Sequence, residues 1–169
     1  MFVKIEDMPD HSRVWIYQSD RQLSEEDVSI IETDATDFLK SWSAHGNDLK
    51  SSAKVLWDRF LIIMVDEQQA MASGCSIDAS VHFVKSTGAS LKIDFFNRTK
   101  VAFLENDEIR IESLSDIKEL VYSGVISPVT PTFNNLVPDK ASFDKKWLSP
   151  ASETWLNRYF KKLESVRNE

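Results

Sequence analysis

The sequence predicts an α+β fold, a two-layer sandwich with a mainly antiparallel sheet, a ferredoxin-like βαββαβ core, an extra strand and C-terminal helices. Three observations lead to this prediction. One long segment has apolar residues at helical spacing, and two pairs of β-prone runs are separated by short polar turns. The elements also follow the order strand, helix, strand, strand, helix, strand. With 169 residues, 42% of them hydrophobic, the chain is long enough to bury a sizeable core.

The N-terminal part contains the first strand and the clearest helix. The β-branched and aromatic run at residues 14–17 predicts a strand. Ser24, followed three residues later by Asp27, is a variant of the capping box and predicts that a helix begins there. Apolar residues at helical spacing extend this helix over residues 25–44. Gly46 is expected to end it in a left-handed conformation.

Two hairpins and two further helices are predicted in the middle of the chain. Residues 53–65 form the first hairpin, whose second strand is continuously apolar and therefore central in its sheet. Residues 73–88 form a helix that ends at a glycine. Residues 101–111 form the second hairpin around a polar turn. Ser115 caps a third helix, which Gly124 ends.

The C-terminal part is rich in proline. Four of the five prolines lie beyond residue 127. We therefore expect residues 127–169 to be a wrapping segment, and the whole chain, residues 1–169, to be a single domain. A final amphipathic helix is predicted to begin near Ser152. The aromatic residues between Trp147 and Phe160 either hold this segment to its own core or form a surface for a protein partner.

Charge and cysteine content restrict the classes of partner and the compartment. The net charge is −7, and the basic residues are scattered, so neither nucleic-acid binding nor binding to an anionic membrane is expected. The longest apolar run, residues 60–65, is far shorter than the ~20 residues of a spanning helix, so no membrane insertion is expected. Cys75 is the single cysteine, and the N-terminus lacks the pattern of a signal peptide, so we expect a cytoplasmic location.

The segment before the second predicted helix contains the most suggestive polar residues. If Ser76 caps this helix, Cys75 lies at its N-terminus, where free amides and the helix dipole favour a thiolate. The amides from Ser76 to Asp78 could also bind an oxyanion or phosphate, and Gly74 would let a ligand approach the backbone. The alternative is that these are ordinary capping and turn residues beside a buried cysteine.

A thiol enzyme also needs a base, and His45 is the first candidate. It lies at the end of the first predicted helix beside Gly46, with His82 as the other candidate. A histidine in that position is more often a helix cap. We expect Gly46, Arg98 and Asn134 to join the ligand-binding residues, with His45 and Arg98 adding charge. The alternative for Asn134 is that it satisfies the irregular backbone after Pro131.

No metal or cofactor is predicted. The three histidines and the cysteine are never three or four residues apart, so no structural zinc pattern exists. The four glycines form neither a Walker A loop nor a dinucleotide-binding fingerprint. The chain is therefore not expected to be a Walker-type ATPase.

Four strings in the chain resemble a family of small bacterial proteins. They are PDHSRVWIYQ at residues 9–18, WSAHG at 42–46, SGCSIDAS at 73–80 and FNNLV at 133–137. Members of that family are commonly labelled "ABC transporter ATPase", and the resemblance extends from about Met1 to Phe160. The label implies ATP hydrolysis, whereas the chain has neither a Walker A loop nor the Leu-Ser-Gly-Gly-Gln signature. The resemblance brings no established activity with it.

Two functions follow as expectations. The first is a cytoplasmic module that binds a small ligand or a protein partner through the polar residues at the helix ends. The alternative is a thiol-dependent enzyme with Cys75 as nucleophile and His45 as base.

Overall fold

The computed structural model describes residues 1–44, 46–68 and 72–167. Residues 166 and 167 are described by their backbone alone. The chain divides into two units, each built from two stretches of sequence. Unit 1 comprises Met1–Asn97 and Asn135–Asp144, and unit 2 comprises Arg98–Asn134 and Lys145–Glu169. The expected organisation as a single domain over residues 1–169, with 127–169 as a wrapping segment, stays a prediction.

Unit 1 contains a three-stranded sheet and two long helices. Its elements, in chain order, are β1 (Arg13–Gln18), α1 (Glu25–Ser41), β2 (Ser43–Ala44), β3 (Asn47–Asp48), β4 (Lys50–Leu56), β5 (Phe60–Asp66) and α2 (Gly74–Leu91). The sheet order is β1-β5-β4, and both neighbours run antiparallel to β5. All seven residues of β5 are buried, which explains its continuous apolar run.

Helix α1 begins where the capping box predicts. The side chain of Ser24 accepts a hydrogen bond from the amide of Asp27, and the Asp27 carboxylate accepts one from the amide of Ser24. The helix ends at Ser41, three residues earlier than predicted, because β2 and β3 follow it as a small antiparallel hairpin. Gly46 has the expected left-handed conformation, with φ +80°, but it lies in the turn of this hairpin and does not end the helix.

Helix α2 differs from its prediction at both ends. Its N-cap is Ser73, three residues before the predicted Ser76. Gly88 lies inside the helix, which continues to Leu91 and ends at Lys92 in a left-handed conformation. Gly88 is needed for packing, because a Cβ atom there would lie 2.6 Å from the carbonyl oxygen of Ile93.

Unit 2 contains the second sheet. Its elements are β6 (Lys100–Glu105), β7 (Glu108–Ser113), α3 (Ile117–Tyr122), β8 (Pro131–Phe133), β9 (Leu148–Pro150) and α5 (Asn157–Arg167), while α4 (Lys140–Lys146) begins in the last stretch of unit 1. The strand order is β7-β6-β8-β9, with antiparallel neighbours. Its core contains Phe103, Ile117 and Leu156, each at most 2% exposed.

The α+β class with antiparallel sheets is confirmed. The ferredoxin-like strand order is not the one observed, because β6 pairs with β7 and β8 in the second sheet. A two-residue turn at Asn106 and Asp107, both with positive φ, makes the β6–β7 pairing local. The order of elements along the sequence does not by itself determine which strands pair with β6.

Candidate functional site

The predicted ligand-binding amides at the start of α2 are partly occupied within the chain. Ser73 accepts a hydrogen bond from the amide of Ser76 on its side-chain Oγ, at 3.2 Å, and from the amide of Ile77 on its carbonyl oxygen, at 2.9 Å. Because the cap is Ser73 and not Ser76, these two amides lie inside the first turn. Gly74 and Cys75 are exposed and form the first two residues of the helix.

Ser76 connects the start of α2 to the end of α1. The residue is buried, and its carbonyl oxygen accepts a hydrogen bond of 2.8 Å from the indole Nε1 of Trp42. Its hydroxyl donates to the carbonyl oxygen of Ser73 at 2.9 Å. Asp78, one turn further along, is exposed. The arrangement gives Ser76 a clear packing role, and ligand binding by Ser76 and Asp78 stays a prediction.

The predicted base, His45, lies outside the described residues, so the pairing of Cys75 with His45 stays a prediction. Its neighbour Gly46 is exposed in the hairpin turn between β2 and β3. A Cβ atom on Gly46 or Gly74 would meet nothing within 4 Å, so the space next to both glycines is open.

Arg98 and Asn134 belong to unit 2. Arg98 is exposed and lies two residues before β6. The backbone amide of Asn134 donates to the carbonyl oxygen of Trp147 at 2.6 Å, which extends the pairing of β8 with β9. Binding of a ligand by Arg98 and Asn134 stays a prediction.

The predicted aromatic surface near the C-terminus is partly a core. Trp147 and Phe160 are 7% and 6% exposed, and the Trp147 ring packs on Phe133 with 5.2 Å between ring centres. Trp155 and Tyr159 are half-buried, with the guanidinium of Arg158 about 5 Å from each ring centre (5.1 and 4.9 Å). The buried side chains of Trp147 and Phe160 therefore stabilise unit 2.

The helices of unit 1 form an open groove of about 490 Å³. Its lining consists of three residues of α1 and five of α2, namely Asp34, Asp37, Phe38, Ala79, His82, Phe83, Ser86 and Thr87. The rings of Phe38 and Phe83 stack with 4.7 Å between their centres and 4° between their planes. Both rings are half-buried, so part of each remains accessible from the groove.

The polar residues of the groove differ in how they are paired. The Asp37 carboxylate lies 3.1 Å from the Lys40 ammonium group. Asp34 and His82 are exposed, and neither side chain has an ion pair or hydrogen bond with another side chain in the described ranges. One carboxylate and one imidazole thus remain available to a bound molecule.

A second cleft, of about 270 Å³, lies in unit 2. Arg110 on its lining is held by Glu112 through a contact of 2.6 Å and by Glu105 at 3.3 Å, and these carboxylates raise the pKa of the arginine. Val129 at its edge is 75% exposed. Because the charges of this cleft are already paired, it offers a ligand fewer polar contacts than the groove of unit 1.

A histidine–aspartate pair lies at the end of β5. The Nε2 atom of His11 is 2.9 Å from Oδ1 of the buried Asp66. The same oxygen accepts a hydrogen bond of 3.0 Å from the backbone amide of Gln68. Burial raises the pKa of Asp66, but the hydrogen bonds from Gln68 and His11 outweigh it, and the net pKa lies below the usual value. The carboxylate therefore holds the imidazole in one orientation, and 42% of the His11 side chain is exposed.

Sequence reasoning did not single out Asp34, Phe83 or the His11–Asp66 pair. The spacings 34/38 and 79/83 place each pair of groove residues on one helix face. This signal was present, but which faces of α1 and α2 meet depends on tertiary packing. His11 and Asp66 are 55 residues apart and are brought together by the pairing of β1 with β5.

Comparisons with protein-family models, with curated proteins and with solved structures found no match. Among the residues that the structure describes, no three His, Cys, Asp or Glu side chains are grouped so that they could hold a metal ion. None of the described helices has both the length and the apolar character needed to cross a bilayer.

Proposed function

We propose that this chain is a binding module and that its ligand occupies the groove between α1 and α2. One observation carries the proposal: the stacked pair Phe38–Phe83 lies in an open groove beside two polar side chains, Asp34 and His82, that lack partners among the described side chains. Covering accessible aromatic surface is favourable, and a few polar groups at the edge give orientation.

A fragment screen observed by NMR tests this proposal. Weakly binding amines, acids and neutral aromatic compounds are added to the full chain, and the ¹⁵N–¹H spectrum is recorded. Hits should shift the amides of α1 and α2 around Phe38 and Phe83. The proposal fails if no class of fragment shifts these amides, or if the shifts of all hits lie elsewhere.

A pair of tryptophan substitutions locates the site. Ala79 is an exposed residue of α2 within the groove, so Ala79→Trp should fill the groove and abolish binding of the hits. Ala89 is exposed on the same helix and does not line the groove, so Ala89→Trp is the matched control. Equal binding by both variants would place the ligand outside the groove.

The class of ligand and the compartment are also parts of the proposal. A net charge of −7 supports a small molecule or a protein as ligand and opposes nucleic acid. The single cysteine supports a cytoplasmic location. The resemblance to proteins labelled "ABC transporter ATPase" fits a binding role better than ATP hydrolysis, because the chain lacks the Walker A loop.

A thiol-dependent enzyme is the second candidate, with Cys75 as nucleophile and His45 as base. The exposure of Cys75 at the second residue of α2 favours it, because a nucleophile must be accessible. The test is the rate of iodoacetamide labelling at pH 7. An activated thiol should react faster in the native protein than in the urea-unfolded chain, and His45→Ala should remove the difference. Equal rates in native and unfolded protein would exclude this candidate.

A further inference from the structure

We infer that the occupant of the α1–α2 groove is a basic segment of a protein partner, bound through an arginine side chain. This inference rests on the proposed function and adds the class of partner. It follows from the charge of unit 1, from the arrangement of the carboxylates and rings, and from the openness of the groove.

The charge of the chain is concentrated in unit 1. This unit contains 18 acidic and 10 basic side chains, whereas unit 2 contains 9 and 10. Helix α1 alone has six acidic residues and one basic residue, Lys40. Such an excess attracts cationic partners over a distance of about one Debye length, near 10 Å at moderate salt.

The groove has one carboxylate that is not paired within the described residues. Asp34 and Asp37 are three residues apart on α1 and therefore project from the same face of the helix. Lys40 already pairs with Asp37, while Asp34 has no ion pair within the described part of the chain. Asp34 is the carboxylate that a guanidinium group can take without displacing an internal partner.

The aromatic pair favours arginine among the cations. A guanidinium group is planar and weakly hydrated, and it packs against aromatic rings while its stem covers apolar surface. Phe38 lies four residues after Asp34, one helical turn along the same face of α1, and Phe83 stacks on it from α2. A side chain bound at Asp34 therefore has ring surface within one turn.

The shape of the groove favours a peptide over a free small molecule. Its α2 wall runs from Ala79 to Thr87, about 12 Å at 1.5 Å per residue, and is mostly exposed. Small-molecule sites bury most of the surface of their ligand. An open trough does not, so additional contacts from a peptide backbone along the helices are needed for affinity.

Matched peptides test the inference on the full chain. The probe is a fluorescein-labelled, alanine-based octapeptide with arginine at its second and sixth positions. A second peptide has citrulline at both positions, which keeps the shape and removes the charge. The third arm is unlabelled N-acetyl-arginine amide as a competitor. Binding is measured by fluorescence anisotropy, and the binding site is mapped by NMR.

The arginine peptide should bind at the groove, the citrulline peptide at least tenfold more weakly, and the free amino-acid derivative should compete only at much higher concentration. Asp34→Asn should weaken peptide binding roughly twofold to fivefold, as expected for one exposed ion pair. Glu26→Gln removes the same charge from an exposed position of α1 outside the groove and should change binding less. Added salt should weaken binding of the arginine peptide.

The possible failures are distinguishable. If fragments bind in the groove but the citrulline peptide binds as well as the arginine peptide, the binding module stands and the inference about arginine is wrong. If N-acetyl-arginine amide binds as tightly as the peptide, the ligand is a small cation and the protein partner is excluded. If no class of fragment shifts the groove amides, the proposed function fails, and the inference that rests on it fails with it.

Discussion

The indole Nε1 of Trp42, the C-cap residue of α1, donates a hydrogen bond of 2.8 Å to the carbonyl oxygen of Ser76 in the first turn of α2. Both residues are buried. Trp42 also packs edge-on against Trp15 of β1, with 6.4 Å between ring centres. One side chain thus connects the sheet, the end of α1 and the start of α2, on which the position of the candidate groove depends.

Replacing this tryptophan should destabilise the protein. Trp42→Phe keeps an aromatic ring but removes the hydrogen bond to Ser76 and leaves a small cavity, so we expect a loss of about 2 kcal/mol in the free energy of unfolding. Urea denaturation measures it. Trp57→Phe is the control, because Trp57 is 45% exposed, and it should reduce stability less than Trp42→Phe does. Equal effects would contradict the structural role of the Trp42–Ser76 contact.

Two glycine-to-alanine substitutions in α2 should have opposite effects. Alanine is normally the better helix former by about 1 kcal/mol. At Gly88 its Cβ atom would lie 2.6 Å from the backbone oxygen of Ile93, so Gly88→Ala should destabilise by about 1–3 kcal/mol. Gly74 has open space, so Gly74→Ala should be neutral or slightly stabilising. Thermal unfolding of both variants, followed by circular dichroism, measures the difference, and a Gly88→Ala variant as stable as the wild-type protein would contradict the close contact with Ile93.

The Arg21–Asp27 ion pair should make stability depend on pH. The Arg21 guanidinium, at 2.6 Å, and the Ser24 amide, at 2.8 Å, hold the pKa of Asp27 far below its usual value. A carboxylate with a lowered pKa stabilises the fold above about pH 4 and loses this contribution as the pH falls through its folded-state pKa. Asp27→Asn should therefore cost roughly 1 kcal/mol at pH 7, the size of a lost cap, and progressively less towards pH 2.

Urea denaturation of Asp27→Asn between pH 7 and pH 2 measures this dependence. Asp48→Asn, an exposed position in β3, is the control and should follow the wild-type protein at every pH. A constant difference between Asp27→Asn and wild type down to pH 2 would mean that the ion pair is not formed in solution.

Local signals in the sequence predicted local structure well. Ser24 and Asp27 placed the start of α1 correctly because a capping box satisfies backbone donors within four residues. The end of α1 was placed too late because Gly46 needs a positive φ both as a helix cap and in a hairpin turn, and only the pairing of β2 with β3 distinguishes them. The sequence also places the end of α2 too early, at Gly88. The reason is related, because the close contact with Ile93 that requires a glycine there is tertiary.

The candidate site was harder to predict than the fold class. The sequence predicts a site in the loop around Cys75, because the residues for that chemistry are neighbours in one short segment. The groove depends on which faces of α1 and α2 meet, and Phe38 and Phe83 are 45 residues apart. No short-range pattern encodes that contact, although the acidic character of α1 was visible in the composition of residues 25–41.

The His11–Asp66 pair gives the last prediction. Because the Asp66 carboxylate accepts hydrogen bonds from both Gln68 and His11, removing the imidazole should raise the pKa of Asp66, which burial alone also favours. His11→Ala should therefore shift the carboxyl titration of Asp66, observed by ¹³C NMR, to higher pH. The stability that Asp66 loses in acid should be smaller than in the wild-type protein, because this loss occurs between the unfolded-state and folded-state pKa values and the substitution brings the two closer together. Arg13→Gln is the control, because Arg13 contacts Glu67 at 3.7 Å, and it should leave the Asp66 titration nearly in place. An unchanged Asp66 titration in His11→Ala would mean that the exposed imidazole does not stay on the carboxylate in solution.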